Sequence, residues 1–106
     1  MSKASARSTN LPPYPKNIGK LRFLTLPSGA RRRFKVCKEK GWAQEGFREK
    51  LIYIQKLRFD DGETLIRICY YVLGKRKTWV WGRNSPLMPP SNLRMLIRTA
   101  KGKGWS

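Results

Sequence analysis

Asp60, Asp61 and Glu63 fall within four residues of one another, and single cysteines stand at 37 and 69. Carboxylates this close can hold Mg²⁺ for phosphodiester cleavage, and a thiol can act as a nucleophile. The surrounding residues argue against both. Asp61-Gly62 lies between two alternating apolar segments, where Asp-Gly serves the backbone of a tight turn. No second acid cluster is near in sequence to complete a metal site. The chain has no histidine, which removes imidazole bases, Ser-His and Cys-His pairs and histidine ligands. Two cysteines alone do not make a zinc site. No Gly-rich loop ends in Lys-Ser or Lys-Thr. The expectation is a protein that is not an enzyme and takes no metal or cofactor.

The chemistry that remains is cationic. Lysine and arginine number 24 against 6 acids in 106 residues, for a formal net charge of +18. All the acids lie between Glu39 and Glu63, so residues 1–38 and 64–106 are uncompensated. A solvated surface normally mixes signs, and an imbalance of this kind points to a polyanionic partner. The longest apolar run, Ile68 to Leu73, is too short to span a membrane. Without a signal-peptide-like stretch, Cys37 and Cys69 read as reduced thiols in a cytoplasmic setting. A cleaved organelle-targeting segment is a minor alternative for the basic N-terminus.

These side chains must be positioned by a small number of elements. Residues 1–19 read as a flexible basic arm, with Pro12, Pro13 and Pro15 opposing helix; residues 20–106 read as a single domain. Pro27-Ser28-Gly29-Ala30 suggests a four-residue hairpin loop that sets Leu21 opposite Val36 and Phe23 opposite Phe34. A helix over Ala30–Lys40 is the rival reading of that segment. Residues 38–49, with two glycines, read as a loop. A two-residue Asp61-Gly62 turn sets Leu57 opposite Ile66, Gln55 opposite Ile68 and Tyr53 opposite Tyr70. A turn at Gly74–Lys77 leads to Thr78–Trp81, with Trp79 and Trp81 either packed on the apolar side or exposed. Ser91 reads as the N-cap of a helix over about Asn92–Lys101. Its Leu93, Leu96, Ile97 and Ala100 form an apolar stripe, and Trp105 is placed to fold back on its end. The fold class is therefore α+β: a twisted antiparallel sheet of about five strands, one face covered by the C-terminal helix, plus the arm.

In that register the open face of the sheet carries Arg22, Arg31, Arg33, Lys35, Lys56, Arg58 and Arg67, with Tyr71 among them as a ring for base stacking. Two like-charge pairs result, Lys56 with Arg67 and Arg22 with Lys35, and a bound polyanion would offset their repulsion. Lys75, Arg76 and Lys77 form a second cationic group at a hairpin tip. The function expected is phosphate-directed binding of RNA or DNA with low sequence specificity. The alternatives are a subunit of a larger ribonucleoprotein, or an accessory factor of a phage or mobile element that covers an acidic protein surface.

Overall fold

The computed structural model describes residues 11–82 and 86–104. Residues 1–10 of the arm, Arg83 and Trp105 lie outside them. Among the described residues six strands form one antiparallel sheet: β1 (Leu21–Thr25), β2 (Arg31–Gln44), β3 (Phe47–Phe59), β4 (Thr64–Leu73), β5 (Trp79–Trp81) and β6 (Leu87–Met88). A helix, α1 (Pro90–Gly102), follows. The strand order is β1-β2-β3-β4-β5, with β6 sharing the outer edge of β4. The expected α+β class, an antiparallel sheet with a C-terminal helix, is thus the architecture present. Among the described residues no helix is long and apolar enough to cross a membrane.

Three of the hairpin turns are one motif. Leu26 N donates to Ala30 O, Phe59 N to Glu63 O and Gly74 N to Thr78 O, each closing a loop of three residues. The third loop residue is left-handed in every case: Gly29 at φ 92°, Gly62 at φ 91° and Lys77 at φ 61°. This three-residue loop ending in a left-handed residue is a common hairpin alternative to the two-residue turn. It changes the register by one, and in a strand a one-residue slip sends every side chain to the other face. Leu21 pairs Lys35 rather than Val36, and Leu57 pairs Leu65 rather than Ile66. The side chains of β1 and β4 accordingly lie on the faces opposite to those expected. Lys77 occupies a conformation that costs a non-glycine residue about 1 kcal/mol. Lys77→Gly, after the entropy glycine loses, should gain up to about 0.5 kcal/mol and raise Tm by about 2–3 °C. A thermal melt showing no rise would contradict the strain.

The segment over residues 38–49 is not a loop, and 30–40 is not a helix. β2 runs through both, to a two-residue turn at Glu45-Gly46 that returns Phe47 opposite Gln44. The alternation is hidden by an irregularity at Cys37, where the register steps between Val36 and Lys38. Beyond that bulge, Glu39, Gly41 and Ala43 take over the face that Phe34 and Val36 began. Gly41 is required there, since a Cβ would stand 2.4 Å from the Tyr53 ring.

One face of the sheet holds the whole core. Phe34, Val36, Leu57, Phe59 and Leu65 form one cluster, with Leu24 and Leu87 packed against it. Leu51, Tyr53, Cys69 and Tyr71 form a second, with Ala43 and Trp79. Between them runs a polar rung across three strands, Glu39 opposite Gln55 and Gln55 opposite Arg67. The sheet curls around this face: edge strands β1 and β5 both line one interior cleft.

Residues 11–19 carry no regular element and lie across that interior. Trp79 Nε1 donates to Pro12 O at 3.2 Å, and the Tyr53 hydroxyl to Pro15 O at 2.6 Å. Asn17 donates to Glu39 twice and to the Tyr71 hydroxyl. The helix sits differently from expectation. It begins at Pro90 after Pro89, with Ser91 inside its first turn, as proline's fixed φ favours. It meets the sheet at β4 and buries none of its residues; Leu96 and Ile97 of the apolar stripe stay 58% and 52% exposed. The curl of the sheet and residues 11–19, not the helix, cover the core.

Candidate nucleic-acid interface

The register divides the expected basic face in two. Arg31, Arg33, Lys35, Lys56 and Arg58 keep company on the outer, convex face. Arg22 and Arg67 are on the inner face, lining the cleft with Phe34 and Val36. Tyr71 is also inside and buried, between Tyr53 and Trp81 with ring centroids 5.2 and 5.1 Å away, so it is no open stacking platform. Neither expected like-charge pair exists, because Lys56 lies opposite Ile66 and Arg22 opposite Phe34.

Two other like-charge pairs take their place. Lys35 opposes Arg58, and across the bulge Lys38 opposes Lys56. Like charges directly opposed weaken a sheet by several tenths of a kcal/mol per pair. Among the described residues the ion pairs are Arg32 with Asp61 and Glu63, at 2.9 and 2.7 Å, and Arg33 with Asp60 at 3.0 Å. Those pairings occupy the three turn acids and leave Lys35, Lys38, Lys56 and Arg58 without a carboxylate. Lys40 extends the patch, its Nζ 5.6 Å from the centroid of the exposed Trp42 ring. Lys38, Lys40 and Trp42 escaped the sequence reading because the bulge disguised their strand as a loop. Arg31 lies 4.1 Å over the Phe23 ring at the β1 edge. Lys75, Arg76 and Lys77 are exposed at the β4–β5 turn.

The interior is built around Arg67. Its Nε and Nη2 donate to Gln55 Oε1 at 3.0 and 2.8 Å, and Gln55 Nε2 donates to Glu39 Oε1 at 2.9 Å. A neutral amide thus joins a cation to an anion. Phe34 and Trp81 ring centroids lie 5.1 and 4.8 Å from the guanidinium carbon, a cation–π arrangement. Burial holds the Arg67 pKa below the ordinary arginine value, and the Arg22 charge acts in the same direction. The cleft measures about 410 Å³, and among the described residues its lining contains no acid.

Cys69 is buried and Cys37 half-buried, and both are free thiols. Burial pushes the Cys69 thiol up to about 11 despite the Arg67 charge. Burial also raises Tyr53 and Tyr71 above the ordinary tyrosine value. In each case the unfolded chain releases its proton first, so raising the pH favours unfolding. The Cys69 contribution is complete below pH 9 and is lost between pH 9 and 11. Two units correspond to about 2–3 kcal/mol. Tm measured across pH 8–11 should fall through that window, and Cys69→Ala should flatten the fall between 9 and 10. An equal fall in the variant would remove the thiol as its cause.

Compared with protein-family models, with curated proteins and with solved structures, the chain finds no match.

Proposed function

We propose that this protein binds nucleic acid without catalysis, holding phosphates on the convex face of β2 and β3. The observation that carries the reading is the pairing of Lys35 with Arg58 and of Lys38 with Lys56, with the acids of the β3–β4 turn already bound to Arg32 and Arg33. The sheet holds repulsive pairs that an anion would neutralise. A phosphate backbone supplies anions at regular spacing, and arginine and lysine are its usual partners. Lys40 with Trp42 adds the combination of cation and exposed ring that suits an unpaired base. Lys75, Arg76 and Lys77, exposed at the β4–β5 turn, would add a contact to a phosphate further along. Nothing on this face resembles a helix set for base edges, so binding is of low specificity. The two free thiols fit a reducing, cytoplasmic compartment.

Titration of labelled single- and double-stranded oligonucleotides at several salt concentrations tests the proposal. With about six phosphates engaged, log K should fall against log salt with a slope near −5 on duplex. Absence of binding at low salt would overturn it. Capture of an acidic protein in nuclease-treated lysate, without oligonucleotide binding, would place the patch on a protein surface instead.

A further inference from the structure

The interior cleft is a second cationic site, chemically unlike the convex patch. Arg67 is half-buried and, among the described residues, makes no ion pair; its charge reaches Glu39 only through the Gln55 amide. Leaving a guanidinium in this state is costly unless an anion or an aromatic face compensates it. Phe34 and Trp81 supply part of that compensation. A second guanidinium, Arg22, nevertheless shares the cleft, and among the described residues no acid lines it. Two cations converging on one acid-free cavity define an anion site.

The walls say what the anion is attached to. Trp79, Trp81, Tyr71 and Phe34 line the cleft with the two arginines. Trp81 remains 41% exposed although Tyr71 already packs against it, so one part of its ring is open. The lining also includes the polar Asn17, held by Glu39 and the Tyr71 hydroxyl. The volume of about 410 Å³ falls in the range of small-molecule sites and suits one ring system with a phosphate.

We propose that this cleft binds a single nucleotide, its phosphate between Arg22 and Arg67 and its base against Trp81. The ligand is either a free mononucleotide or the phosphorylated end of a strand, since both present the same chemistry. The site is independent of the convex face and does not rest on it.

The test is titration of the full-length ¹⁵N-labelled protein with 5′-AMP and 5′-UMP, following the tryptophan indole N–H signals. The expected result is a saturable shift of the Trp79 and Trp81 signals at nucleotide concentrations of about 1 mM or below. Adenosine, lacking the phosphate, should bind about tenfold more weakly. Inorganic phosphate should compete with the nucleotides. Arg22 is exposed, so Arg22→Gln should keep the parent Tm and weaken binding about tenfold. Trp81→Leu should also weaken binding of the nucleotides while sparing that of phosphate. Replacing Lys35, Lys38, Lys56 and Arg58 by Gln should leave the shifts intact, which separates this site from the convex one. A 5′-phosphorylated oligonucleotide that shifts the signals where its 5′-hydroxyl counterpart does not identifies a strand end; shifts with mononucleotides alone identify the free ligand. No shift with either nucleotide, equal binding of adenosine and AMP, or binding unchanged in Arg22→Gln would overturn the proposal.

Discussion

Replacing Lys35, Lys38, Lys56 and Arg58 together by Gln should lower nucleic-acid affinity and raise thermal stability in the same protein. Each phosphate that is no longer neutralised takes about 0.9 off the salt slope on duplex, so four reduce its magnitude by about 3.6. Taken between 1 M and 0.1 M salt, that exponent amounts to on the order of a thousandfold in affinity at the lower concentration. Stability moves the other way, because Lys35 faces Arg58 and Lys38 faces Lys56. Relief of two like-charge pairs should return about 0.5–1 kcal/mol. A comparison variant removes cations from the exposed helix instead, Arg94→Gln with Arg98→Gln and Lys101→Gln. It should cost far less affinity per charge removed. Equal loss per charge in the two proteins would mean that binding follows net charge rather than the convex face.

Gln55→Leu should be among the most damaging single changes outside the hydrophobic core proper. Gln55 is 1% exposed and bridges Glu39 to Arg67. Leucine has nearly the right volume but leaves two arginine N–H groups without an acceptor and removes one donor from the carboxylate. Hydrogen bonds to charged groups carry about 1.5–3 kcal/mol each, and stranding a buried charge adds to the loss. The expected cost is about 3–4 kcal/mol, or about 15–20 °C in Tm for a chain of this length. The double variant Glu39→Gln with Gln55→Glu moves the carboxylate one strand over. The acid on β3 then meets Arg67 directly, while the amide on β2 still offers an oxygen to Asn17, and Tm should return most of the way to the parent. A Gln55→Leu protein melting within a few degrees of the parent would show that the rung does not hold the two clusters together.

The strands that the alternation identified are present: β1, β3, β4 and β5 lie where their apolar and polar residues alternate. Which face each side chain takes was not legible in the turns themselves, because it depends on whether a loop holds an odd or an even number of residues. Asp60-Asp61-Gly62 serves equally as a two-residue Asp-Gly turn and as a three-residue loop ending in left-handed glycine. One signal in the residues did discriminate. Gln55 interrupts the apolar series Leu51, Tyr53, Leu57 and Phe59, and a buried amide needs polar partners. Opposite Ile68 it would have none, whereas the shift by one brings Arg67 across from it. Satisfying Gln55 therefore selects the register, and with it the division of the cations into an outer patch and an inner cleft. The bulge at Cys37 was less accessible, since it breaks the period on which strand recognition depends. The helix illustrates a further limit. An apolar stripe shows that a helix forms with two unlike sides, not what its apolar side rests on.

The meander order of the sheet bears on how the chain reaches and leaves its native state. Consecutive strands β1 to β5 pair with their neighbours in sequence, through loops of two or three residues, so the sheet can assemble hairpin by hairpin with little closure entropy. The bond from Trp79 to Pro12 instead joins residues 67 apart. Closing such a span costs about 3 kcal/mol more than closing a three-residue loop. Bonds of this kind are expected to form last and to be absent from the folding transition state. Interactions made after the barrier act on the escape rate rather than the folding rate. Pro12, Pro15 and Asn17 would therefore work as a kinetic latch: the sheet sets how fast the protein folds, and this short segment sets how long it stays folded.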